Sequence, residues 1–112
     1  MREDLPTRLW LDAHLRQLAV QGVFYTIVHK GDPARGTVAL KLALGAGQGC
    51  RVLVQTRNPE GELGWMAALE GETVPEDRAG SSLARLTNRD PDVWVVEIES
   101  KDGRYPFEGR IF

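Results

Sequence analysis

The 112-residue chain has one cysteine, two histidines and no apolar run longer than a strand. A lone thiol excludes an internal disulfide and suits a reducing compartment. Without about 20 consecutive apolar residues, no segment is expected to cross a bilayer as a helix. Met1-Arg2-Glu3-Asp4 leads into a polar, amphipathic stretch and not into the apolar core of a signal peptide. Charge of one sign is not in excess either. The net charge of −2 argues against a generic nucleic-acid binder, although local basic stripes remain open. Zinc needs three or four ligands, and neither His14 nor His29 has a Cys, Asp or Glu at ligand spacing. No cofactor is expected.

What is present describes an ordinary globular chain, with hydrophobic residues at 42% and charged ones at 27%. Its length suits one α+β domain over residues 1–112. Eleven of the 14 basic residues are arginine, which reads first as a compositional bias.

The first helix is expected from about Pro6 to Gln21, with Asp4 or Leu5 as its cap and Gly22 as its stop. Trp10, Leu11, His14, Leu15 and Leu18 form its apolar stripe, and Arg8, Asp12 and Arg16 a solvated ladder opposite. Val23 to His29 is apolar on both faces, as a central strand is. Strands follow at Thr37 to Leu44, Cys50 to Thr56 and Leu63 to Leu69, divided by turn clusters. Thr73 and Glu76 make a capping box for a second helix, from about Pro75 to Asn88.

Beyond Asp90-Pro91-Asp92 the pattern turns to strand again, with Trp94, Val96 and Ile98 on one face. Asp102-Gly103 is a strong two-residue hairpin signal. That turn would set Trp94 opposite Ile111 and Ile98 opposite Phe107, with Pro106 suited to a sheet edge. The order α-β-β-β-β-α-β-β predicts an antiparallel sheet of about six strands with both helices on one face.

Three stretches together resemble a small uncharacterised proteobacterial family, domain of unknown function 1491. They are Arg8-Leu-Trp-Leu-Asp-Ala-His-Leu-Arg16, Lys30-Gly-Asp-Pro-Ala-Arg-Gly-Thr-Val-Ala-Leu-Lys-Leu42 and Asp90-Pro-Asp-Val-Trp-Val-Val-Glu-Ile-Glu99. The resemblance implies a bacterial cytoplasmic protein and carries no activity, cofactor or catalytic residue.

The hairpin register would place Glu97 opposite Glu108, with Glu99 and Arg110 diagonal to them. Carboxylates facing each other at about 5 Å repel unless neutralised. A divalent cation would do this, as would a raised pKa serving acid–base chemistry. The simpler alternative is an arginine bridging the pair on a solvated face. Arg78, Arg85 and Arg89 fall within about 40° of each other on the second helix, a stripe able to hold anions or nucleic acid. A solvated flank complementing the helix dipole is the simpler account. Asp32 and Arg35 could face a partner from their turn, or serve only the turn.

Gly45-x-Gly47-x-Gly49 joins two strands and so lacks the helix N-terminus a phosphate loop needs. Cys50 shares the inward phase of Val52 and Val54 and reads as a small buried hydrophobe. Trp65, Arg51 and Arg57 are the bulky or charged groups a pocket among the turns would recruit. Nothing here assembles a catalytic set. The expectation is a small non-enzymatic binding or interaction module, with a homodimer or a protein partner both open.

Overall fold

Helix α1, Thr7–Val20, starts one residue after Pro6, whose fixed φ suits a helix entrance. Pro6 is itself the cap, without a side-chain hydrogen bond. Thr7 instead turns inward, and its Oγ1 donates to the Gly36 carbonyl at 2.8 Å. The helix closes as expected. Gly22, at φ +76°, donates to Ala19 and Val23 donates to Leu18, the paired bonds of a Schellman motif.

The computed structural model describes residues 5–100, 107 and 109–112. Strands β1 (Tyr25–His29), β2 (Val38–Ala43), β3 (Cys50–Arg57) and β4 (Leu63–Ala67) come next. A short 3-10 turn (Leu69–Gly71), helix α2 (Glu76–Arg89) and strand β5 (Trp94–Glu99) complete the order. All five strands form one sheet in the order β1-β5-β2-β3-β4.

The α+β class holds, and four details differ from the sequence reading. The sheet is mixed, because β5 runs parallel to β2 and antiparallel to β1. It has five strands among the described residues. Ile111 makes only an isolated parallel bridge to Trp65, and Trp94 is paired with Val38. Both edges of β5 are already occupied, so it has no room for the expected hairpin partner. The Asp102-Gly103 turn itself lies outside the described residues. The same pairing makes β1 an outer strand, where its apolar sequence had suggested a central one.

The helices also lie on opposite faces. Val38, Leu40, Leu42, Leu53, Trp94, Val96 and Ile98 point one way and pack with Trp10, Leu11, Leu15 and Leu18 of α1. Ala39, Cys50, Val52 and Val95 alternate to the other face and meet Ala79 and Leu83 of α2. A sheet whose inner strands are apolar on both faces needs cover on both. Each fully buried leucine in these layers stabilises the fold by about 1.5–3 kcal/mol relative to exposure.

Phe107 belongs to the α1 layer, wedged between Trp10, Trp65 and His14. His14, on the apolar stripe of α1, is half-buried. Its Nδ1 bonds the Trp10 carbonyl at 2.8 Å while its ring stacks on Phe107 at 4.9 Å. Among the described residues, no helix is long and apolar enough to cross a membrane.

Candidate functional site

Lys41 is the residue around which the α2 side of the sheet is organised. Its neighbours Leu40 and Leu42 face α1, so strand alternation turns Lys41 toward α2. Its side chain is only 10% exposed there. A buried ammonium requires partners. Lys41 Nζ donates to Glu76 Oε1 at 3.2 Å and to Glu97 Oε1 at 3.3 Å. Glu97 is its direct neighbour across the β2–β5 pair, while Glu76 reaches down from the first turn of α2. The capping box expected for Glu76 is therefore not formed: Pro75 is the cap and makes no side-chain bond.

Burial alone would lower the Lys41 pKa. The Glu76 hydrogen bond and the Glu97 charge more than offset this, and the ammonium is held above its ordinary value. Cys50 lies on the same face, and burial pushes its thiol up, against the pull of Lys41. A protonated lysine and a protonated thiol are both poor nucleophiles. The cluster is built to hold charge in place.

Two clefts meet at Glu97. The smaller, of about 260 Å³, lies between α2 and the β1 side of the sheet. Val28, Leu83, Ala84 and Val95 wall it, with His29, Lys41, Thr87 and Glu97 as its polar groups. A bulge between Ile27 and His29 brings Val28 and His29 to its rim together. His29 Nδ1 lies 2.8 Å from the Val93 carbonyl. A carbonyl only accepts, so this nitrogen carries the proton and Nε2 keeps a lone pair in the neutral ring.

The larger cleft, of about 720 Å³, has the Gly45–Gly49 loop on one side and Glu76, Glu97 and Glu99 on the other. Its loop is a hairpin connection, closed by Leu44 donating to Gly49 and Gln48 to Gly45. Gly49, at φ +83°, comes so close to the Val74 carbonyl that a Cβ would collide with it.

Asp32 and Arg35 are not brought to this cluster. Asp32 Oδ2 accepts from the Arg35 backbone N–H at 2.7 Å and from that of Ala34 at 3.2 Å, which shapes the turn. Arg78, Arg85 and Arg89 are exposed on α2, away from its buried Ala79 and Leu83. Glu97 is a site residue for a reason other than the one expected. The register that set it against Glu108 does not exist, since Thr26 and Lys41 flank Glu97 on its two sides. Glu108 lies outside the described residues. Trp65 is fully buried core and Arg57 Nη1 bonds the Gly61 carbonyl, so neither opens a pocket.

Lys41 and Glu76 were missed by reading the sequence. The available signal was a lone charge inside Val38-Ala-Leu-Lys-Leu-Ala43, which must find an acid once both faces are covered.

Residues 5–108 match the family model described as protein of unknown function (DUF1491). The chain belongs to this family. A crystal structure of a DUF1491 family protein from Caulobacter crescentus CB15 is 30% identical, with a TM-score of 0.86 over 96% of this chain and 99% of that one. An NMR structure of a DUF1491 family protein from the same organism is 31% identical, with a TM-score of 0.83 over 96% of each chain. A solution structure from A. tumefaciens, 24% identical, shares the fold with a TM-score of 0.72, covering 89% of this chain and 87% of that one. None of the curated proteins matches the chain. No function is known for the DUF1491 family from these matches.

Proposed function

We propose that this DUF1491 protein is a small non-enzymatic interaction module of the bacterial cytoplasm. It takes a partner segment bearing basic side chains into the two clefts that meet at Glu97. The observation that carries this reading is the imbalance around Lys41, where one ammonium serves both Glu76 and Glu97. Glu99 adds a further carboxylate to the larger cleft. The surplus is negative, and it lies beside apolar walls.

Arginine and lysine side chains match both properties, because their aliphatic stems pack on apolar surface while the charged heads seek carboxylates. The larger cleft falls within the size of ordinary ligand sites, while the smaller has room for a single side chain. The raised proton affinities of Lys41 and Cys50 support binding over covalent catalysis.

Fluorescence anisotropy with labelled oligo-arginine and oligo-glutamate peptides tests the proposal. The basic peptide is expected to bind, more weakly as salt rises. A double Glu97→Gln, Glu99→Gln variant should weaken binding by about tenfold, or 1.4 kcal/mol. Equal affinity for both peptides, or an equal loss on replacing the remote Glu62, would refute it.

A further inference from the structure

The outer edge of β1 carries a different message, independent of the clefts. Edge strands usually carry charge, proline or cover that discourages pairing. Tyr25-Thr-Ile-Val-His29 has neither lysine, acid nor proline. Phe24 beside it is 75% exposed and Val28 is 58% exposed, large apolar groups in water. The opposite edge of the sheet is treated differently. There Trp65 donates to Arg110 and Phe112 donates to Trp65, so residues 110–112 occupy the middle of the β4 edge.

Which β1 groups point outward follows from the ladder. Glu99 donates to the Phe24 carbonyl, so Phe24 and Glu99 form a hydrogen-bonded pair. Antiparallel pairs alternate. Thr26 therefore also turns its backbone groups to β5, opposite Glu97, while Tyr25 and Ile27 turn theirs away from the sheet. No described strand lies beyond them.

We infer that this edge pairs with the same edge of a second copy, antiparallel, about a twofold axis at Thr26. In that register Tyr25 faces the partner subunit's Ile27, and each has one outward N–H and one outward carbonyl to exchange. Thr26 faces its own copy, and Phe24 faces the partner subunit's Val28. These last two are non-hydrogen-bonded positions, where side chains come closest. Thr–Thr and aromatic–β-branched pairs are among the favourable ones across strands. Neither strand brings a charge to oppose the match.

The twofold pairing uses each copy's β1 edge up, and the bridge at Trp65 interrupts the β4 edge, so association closes at two copies. The bulge after Ile27 ends the regular ladder and keeps the contact short. The dimer is accordingly weak, and it brings the partner subunit's Phe24 against Val28 at the rim of the smaller cleft.

Sedimentation of the full chain should show a mass rising from 12.4 kDa toward twice that value between about 10 µM and 1 mM. Thr26→Lys should hold it monomeric with an unchanged melting temperature, since like charges then meet at the axis while Glu97 is at hand within each copy. Thr26→Cys should form a disulfide-linked dimer on mild oxidation much faster than Tyr25→Cys, whose counterpart across the axis is Ile27. A wild-type chain that stays monomeric at 1 mM would overturn the inference. So would equal crosslinking of the two cysteine variants. Protection of the Tyr25 and Ile27 amides only on adding a foreign peptide would assign the edge to another partner and overturn it as well.

Discussion

Lys41 and Glu97 are direct neighbours across the parallel β2–β5 pair, with Nζ and Oε1 3.3 Å apart. The pair joins two strands separated in sequence by β3, β4 and α2. Removing the ammonium strands a partly buried carboxylate. Lys41→Ala is expected to lower stability by about 2–4 kcal/mol in denaturant unfolding. The double variant Lys41→Met, Glu97→Gln should recover much of that loss, because it removes the unpaired charge as well.

Stability should also fall in alkali. Lys41 and Cys50 both hold their protons more tightly folded than unfolded. Their contribution is complete below the ordinary values of 9.0 for the thiol and 10.5 for the ammonium, and is lost as pH rises through the higher folded values. Melting temperatures measured from pH 8 to 11 should decline first for the thiol and then for the ammonium. Cys50→Ala should flatten the earlier part of the slope and Lys41→Met the later part.

Two glycines should respond in opposite senses. A Cβ at Gly31 would collide with the Asp92 carbonyl, and backbone on both sides leaves nothing to yield. Gly31→Ala is expected to cost about 2–3 kcal/mol. At Gly80, inside α2, a Cβ meets open space. Gly80→Ala should stabilise by about 0.5–1 kcal/mol. Urea midpoints of the two variants give the comparison.

Trp94 donates its indole N–H to the Asp32 carbonyl at 2.8 Å, tying β5 to the turn before β2. Trp94→Phe keeps an aromatic ring in the α1 layer but leaves that carbonyl without this donor. A loss of about 1–3 kcal/mol is expected by thermal or chemical unfolding.

Local pattern sufficed for the elements and failed for their arrangement. Both helices and all five strands lie within a few residues of where period and turn residues put them, because those signals act over neighbouring positions. The pairing of β5 with β1 and β2 spans long stretches of chain and leaves no local mark. The Asp102-Gly103 dipeptide weighed too heavily against the apolar Val95, which already hinted that both faces of β5 are covered. In β1 the apolar content misled in a useful way, since it belongs to an outer strand that leaves Phe24 and Val28 in water. The site was half legible. Glu97 stood out as an acid on a strand, but its true companion Lys41 was absorbed into an apolar alternation, and Glu76 into a helix start.

Strand β5 is the last of the five to be synthesised, and it occupies the place between the first two. Until it emerges from the ribosome, the nascent chain has nothing to stitch β1 onto β2. Completing the sheet therefore waits on a pairing between distant parts of the chain, the kind of contact that slows folding. A chain stalled before that point would show a bare strand on each side of the gap, the kind of surface that cellular folding assistants attend to.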